Sequence, residues 1–183
     1  RSGINRWVYG SVAERVLRRA PCTTAIINAR VDRPLRERSR ILIPLDGSEL
    51  AERALEPGRT LARAIGAEVH LLRVTSSAHQ IMETDSMRPV FDGIQEQELK
   101  EAETYLLGLE EGTGETQAVI SVEVENGTVA ENIVDYASEH GIDNIVMSSH
   151  GRTGFSRWVY GSVAEKVLRS ACCTTMIIRD QQS

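Results

Sequence analysis

The chain has 183 residues, 41% of them hydrophobic and 26% charged, the balance of a folded globular protein with room for one ordinary domain and a remainder. Its net charge of −5 argues against a nucleic-acid partner, and no apolar run is long enough to span a bilayer. Five arginines punctuate residues 1–20, so no secretory leader is expected there; the three cysteines, Cys22, Cys172 and Cys173, lack C-x-x-C spacing, and a reduced, cytoplasmic compartment is expected.

The first elements along the chain belong to a repeat. Residues 1–28 align without a gap on residues 152–179, and 20 of the 28 positions are identical. The second copy closes a longer unit that begins near Arg38, so the first copy reads as the close of a preceding unit in a tandem protein. The expected organisation is a helix–strand remnant over 1–30, a charged linker with Pro34 over 31–37, and a complete domain over 38–183. Within the remnant a helix is expected at 11–20 and a strand at 23–28.

In the complete unit, the run I-L-I-P-L at 41–45 predicts a buried strand, with Asp46-Gly47-Ser48 as the turn after it. A helix follows from Ser48, with Leu50, Ala54, Leu55, Leu61, Ala62 and Ile65 on its apolar face; Pro57-Gly58 should bend or break it and Gly66 should end it. Residues 67–74 predict a second strand and 75–93 a loop. A polar helix is expected at about 94–110, an alternating strand at Val119–Val124, and a turn at Gly127. An amphipathic helix at 128–140 carries Val129, Ile133, Val134 and Ala137 on one face and stops at Gly141. A strand at Asn144–Ser148, a helix at 162–171 and a last strand at Thr174–Ile178 complete the unit.

This alternation predicts an α/β fold: an open five-stranded parallel sheet with helices on both faces. Ligands of such sheets bind beyond the carboxyl ends of the strands, where the strand order reverses. Asp46, Val74 and the loop after Met147 should therefore share one rim.

The loop M-S-S-H-G-R-T-G-F-S-R-W-V-Y-G-S-V-A-E, residues 147–165, carries the candidate chemistry. Gly151 and Gly154 allow close backbone approach to a ligand. Gly161-Ser162 opens a helix, with Ser162 read as its N-cap and Glu165 as the partner in a capping box. A helix start offers free N–H groups and a partial positive charge, which suit a phosphate. The same pattern also occurs at helix starts that meet only water, and a carboxylate folded back at Glu165 would repel an anion.

On these residues the chain resembles the universal stress proteins. Their ATP-binding members carry G-x-x-G, nine residues, and then G-S or G-T; here Gly151, residues 152–160 and Gly161-Ser162 match the second part, while Ser148 stands where the first glycine is expected. I-L-I-P-L-D-G-S, H-L-L-R-V and I-V-M-S-S-H-G also resemble that family's strand ends, and the resemblance covers residues 38–180. It implies a Rossmann-like fold of the adenine nucleotide alpha hydrolase-like kind and a site for ATP, with Mg²⁺ as a possible companion of the phosphates. Pro44, Leu45, Val74 and Met147 would line the base, Asp46 would accept from the adenine or ribose side, and Ser148 would stand beside the nucleotide. Gly151, Arg152, Gly161, Ser162 and Val163 would cradle the phosphates. Asp46 is equally suited to forming the turn before Gly47.

The resemblance further implies edge-to-edge antiparallel pairing through the final strand, Thr174, Thr175, Met176, Ile177 and Ile178. Residues 23–28 are expected to lie against it in the same chain or a neighbouring one, giving a pseudo-dimer or a homo-oligomer. His150 has no carboxylate or nucleophile in register and His70 falls in a strand; His79 and His140 read as surface residues. No metal-ligand spacing is present, and Cys172-Cys173 read as small buried residues. Trp158-Val159-Tyr160 reads either as a core anchor under the loop or as a partner contact.

Three function classes compete: an ATP-binding regulatory or sensor module with little or no catalysis, a nucleotide-free dimerising interaction protein, and an enzyme such as an ATP pyrophosphatase. The last would resemble S-G-G-x-D-S after strand one, where this chain reads L-D-G-S-E-L, so the binding module is the expectation.

Overall fold

The computed structural model describes residue 16, residue 20, and residues 22–27, 38–75, 88–111, 118–124, 128–149 and 160–179. Strands β1 (Thr24–Ile26), β2 (Arg40–Leu45), β3 (Glu68–Thr75), β4 (Ala118–Val124), β5 (Asn144–Ser148) and β6 (Thr174–Ile178) form one sheet in the order β1-β6-β5-β2-β3-β4. The five strands of the complete unit are parallel, as expected. The expected five-stranded sheet has a sixth strand, because β1 pairs antiparallel with β6. Of the helix expected at 11–20, only Val16 and Ala20 fall among the described residues, and the Ala20 N–H donates to the Val16 carbonyl at 2.8 Å.

The helices are α1 (Glu49–Glu52), α2 (Leu55–Ile65), α3 (Arg88–Glu111), α4 (Val129–Glu139) and α5 (Ser162–Ser170). Period-two alternation along the strands sends successive side chains to opposite faces. Leu42, Leu72, Ile145, Met147 and Ile177 meet Ile133, Tyr136, Val167 and Leu168 of α4 and α5. Ile41, Ile43, Leu71, Val146 and Ile178 meet Ala51, Leu55, Ala62 and Leu106 of α1, α2 and α3. Both faces are therefore dry, which is why the central strands read as unbroken apolar runs.

Three expectations about helices need correction. The break after Ser48 falls at Arg53-Ala54, upstream of Pro57-Gly58. Pro57 sits in the first turn of α2, where its missing N–H has no intrahelical acceptor to lose. Gly58 is buried, and a Cβ there would come within 2.5 Å of Ile43 Cδ1, so this glycine permits close helix–sheet packing. The segment read as a loop over 75–93 ends earlier, since β3 runs to Thr75 and α3 starts at Arg88. The exposed Ile65, at 48%, lies off the buried face of α2.

The amino ends of the strands hold a polar cluster. His70 is 3% exposed; its Nδ1 is 3.0 Å from the Tyr136 hydroxyl, which also meets Ser121 Oγ at 2.9 Å. His70 Nε2 approaches Glu68 Oε1 obliquely at 2.9 Å, a coulombic contact outside hydrogen-bond geometry. Burial holds the His70 imidazole below its ordinary pKa, with Glu68 opposing that shift. His140, expected on the surface, is half-buried and stacks on Tyr136 with ring centroids 3.9 Å apart. His79 lies outside the described residues.

Candidate functional site

The pocket opens where the β2–β5 ladder gives out. β2 pairs with β3 along its whole length through Leu45, but its pairing with β5 covers only Ile41 and Leu42. Pro44 follows, and a proline has no N–H to contribute to a ladder. Helices α1, after β2, and α5, after β5, lie on opposite faces of the sheet, and the crevice opens between those strands at the reversal of strand order.

A cavity of about 330 Å³ fills this crevice. Pro44, Leu45, Asp46, Val74, Met147, Ser148, Gly161, Ser162 and Val163 all line it, so nine of the expected site residues converge there. Gly151 and Arg152, together with His150, Gly154, Trp158 and Val159, lie outside the described residues. Leu72, Val129 and Ile133 extend its apolar wall.

Asp46 builds the turn at one side. Its Oδ1 accepts from the Ser48 N–H at 3.0 Å and from Ser48 Oγ at 2.6 Å, while Ser48 Oγ accepts from the Ala51 N–H at 3.1 Å and caps α1. Gly47 takes φ +82°, the left-handed region that favours glycine, and a Cβ there would collide with the Arg73 guanidinium. Asp46 therefore forms the turn, the structural role open to it from sequence.

Arg73 is a lining residue that sequence reading missed. Its guanidinium stands 5.3 Å from the centre of the Tyr105 ring, and the Tyr105 hydroxyl donates to Glu52 Oε1 at 2.8 Å. Burial and the Glu52 carboxylate push that phenol's pKa well up. The available signal was its place beside Val74 at the carboxyl end of β3, which period-two alternation assigns to the opposite sheet face.

The other side of the pocket is the start of α5, and here the expectation is corrected. The N-cap is Gly161, with φ −58° and ψ 151°, and no side chain caps the helix. Ser162 is the first helical residue, so it cannot form the expected capping box. Glu165 instead turns along the helix and meets Arg169 at 2.7 Å. The carboxylate that would have repelled an anion is thereby directed away, and among the described residues no side chain caps the first turn. Gly161 is held at the rim by its N–H, which donates to the Ser149 carbonyl at 2.9 Å; the Ser149 N–H donates to the Ile178 carbonyl at 3.0 Å. Tyr160, 8% exposed beneath Arg179, fits the core-anchor reading of its segment.

Cys173 is buried and Cys172 half-buried, close to expectation. Among the described residues no group of His, Cys, Asp or Glu is arranged to hold a metal ion, and no helix is long and apolar enough to cross a membrane.

Comparison with known proteins agrees with this architecture. Universal stress protein YxiE of Bacillus subtilis is 28% identical over 148 residues, 77% of this chain and 99% of that protein. Universal stress protein MJ0531 of Methanocaldococcus jannaschii is 28% identical over 141 residues, 76% of this chain and 81% of that protein. The solved universal stress protein UspA from Lactobacillus plantarum superposes with a TM-score of 0.66 at 26% identity, covering 79% of this chain and all of that one. The family model for the universal stress protein family matches residues 37–179, and the chain belongs to that family.

Proposed function

We propose that the chain binds ATP or a related adenine nucleotide in the crevice between β2 and β5, and acts as a stress-response regulatory or sensor module with little or no catalysis. The observation that carries this reading is the uncapped start of α5 facing a cavity of about 330 Å³ with an apolar wall. Leu45, Val74 and Met147 offer surface to a base, and Asp46 stands at the rim for the adenine or ribose side. The N–H groups at Ser162 and Val163, just past the Gly161 N-cap, offer a phosphate the partial positive end of a nine-residue helix. Arg152 and Gly151 would complete the cradle by the family resemblance, and Mg²⁺ would arrive with the phosphates. A universal stress protein of the same fold, 19% identical with a TM-score of 0.52, has been solved in complex with cAMP.

The reading includes a cytoplasmic location and residues 1–30 as the close of a preceding unit in a tandem, pseudo-dimeric protein, supported by the repeat and the β1–β6 pairing. A nucleotide-free dimerising protein is the competing reading, and Ser148 in place of the family's glycine is its sequence support. Titration calorimetry with ATP decides between them: micromolar or tighter binding is expected, and absence of heat up to millimolar ATP would favour the competitor. Turnover is tested separately, and sustained multi-turnover hydrolysis lost in His150→Ala would contradict the assignment as a binding module.

A further inference from the structure

We propose that Arg73 is a positioning residue for the base and ribose end of the ligand: its guanidinium, wedged between Gly47 and the Tyr105 ring, holds the Asp46-Gly47-Ser48 turn fixed at the cavity rim. The inference rests on the nucleotide reading given above. Five contacts close a ring around that turn. Asp46 Oδ1 accepts from Ser48 Oγ at 2.6 Å, and Ser48 Oγ accepts from the Ala51 N–H at 3.1 Å. Glu52, the next residue of α1, accepts from the Tyr105 hydroxyl of α3 at 2.8 Å. The Arg73 guanidinium, reaching over from β3, stands 5.3 Å from the centre of the Tyr105 ring, within cation–π range. It also abuts Gly47 so closely that a Cβ there would collide with it. Gly47 follows Asp46 in the chain, so the ring ends where it began, with α1, α3 and β3 all bearing on one turn.

An arginine lining a nucleotide cavity invites a second role, as a phosphate ligand, and the surroundings of Arg73 argue against it. The helix start that suits a phosphate belongs to α5, on the other side of the crevice from this turn. Asp46 and Glu52 both border the Tyr105–Arg73 pair: each carboxylate raises the pKa of the Tyr105 phenol, and Arg73 opposes them. An incoming anion would compete with those carboxylates for the same cation. An apolar side chain would fill the gap between Gly47 and Tyr105 with less desolvation; what the cation adds is attraction for the carboxylate of the turn. The flat guanidinium also stacks where a lysine ammonium has no plane to offer. A turn that is already fixed need not be ordered when a ligand arrives, so the brace raises affinity for whatever Asp46 meets.

The test compares ligands in the full chain. Arg73→Met keeps the linear stem and removes the charged plane. Titration calorimetry should show ATP and adenosine weakened by the same factor, about tenfold, with inorganic tripolyphosphate unchanged. A loss confined to ATP and tripolyphosphate would make Arg73 a phosphate ligand and overturn the proposal, as would an equal loss for all three or no loss at all. In an Asp46→Asn background the same substitution should weaken ATP by less than about twofold, because the group being positioned has been altered; an undiminished loss overturns the coupling. A measurement without ligand separates this proposal from the nucleotide reading. The Ser48 and Ala51 amides donate within the turn and its cap, and their hydrogen exchange, followed by NMR, should speed up about tenfold in Arg73→Met while the Ile133 amide of α4 keeps its rate. Unchanged exchange at Ser48 overturns the brace even where the parent chain binds ATP. Faster exchange in the variant of a parent chain that binds no ATP overturns the nucleotide reading and leaves the brace.

Discussion

Helices α4 and α5 both begin at the rim of the same cavity, Val129 from one and Ser162 from the other, yet their first turns are closed in opposite ways. At α4 the Thr128 hydroxyl accepts from the Glu131 N–H at 3.4 Å, and Glu131 Oε2 accepts from the Thr128 N–H at 2.8 Å. The bond from the Thr128 N–H, foremost among the Thr128 contacts, holds the Glu131 carboxyl below its ordinary pKa. The start of α4 carries its own anion. At α5, Gly161 has no side chain to cap with, and Glu165 is engaged by Arg169. One start is closed by its own side chains; the other has no side-chain cap among the described residues. The S/T-x-x-E pattern alone does not decide this, since Thr128 and Glu131 close a capping box while Ser162 and Glu165, one residue inside their helix, do not.

The sharpest way to break this contrast is Gly161→Val. Its φ of −58° suits any residue, so the fold should survive while the isopropyl group fills the anion cradle. ATP affinity should fall at least about a hundredfold, roughly 2.7 kcal/mol. Unchanged affinity by calorimetry would remove α5 from the site.

The next effect separates the two ends of the sheet. His70 is buried with its pKa below that of the unfolded chain, so the unfolded state binds more protons as pH falls. Stability is fully present above about pH 6.5 and declines below it, by up to about 1.4 kcal/mol per pH unit, until the folded-state pKa is reached. His70→Gln should flatten that limb in urea titrations at a series of pH values, with ATP affinity at neutral pH unchanged. A change in affinity would show that the two ends are coupled.

Thr128→Ala sharpens the comparison from the other side. Losing the cap should cost about 1 kcal/mol and lower the melting temperature by a few degrees, with ATP affinity kept within about twofold. A large affinity loss would mean that the closed start also serves the ligand. The smallest effect belongs to Ser148→Gly, which restores the family's glycine at the pocket edge. Binding should be equal or up to a few-fold tighter, and weaker binding would contradict the reading of Ser148 as an obstacle.

The layered α/β fold and the convergence of nine expected residues on one cavity were legible along the chain. A short apolar run can be dry on both faces only inside a parallel sheet, and a turn at a strand's carboxyl end faces the rim wherever its neighbours lie. The strand at residues 24–26 was legible through its repeat, since its twin is the strand β6. What the tertiary structure decided was pairing and direction. Whether Ser162 or Gly161 caps α5 goes with the Gly161 N–H meeting the Ser149 carbonyl at the end of β5. Whether Gly58 breaks a helix or seats it depends on Ile43 lying opposite. Arg73 reaches the pocket because Gly47 leaves space for its guanidinium, and His140 is half-buried because Tyr136 stacks on it. In each case the deciding partner is distant in sequence or held by a neighbouring backbone group. Local propensity and periodicity carry no information about such partners.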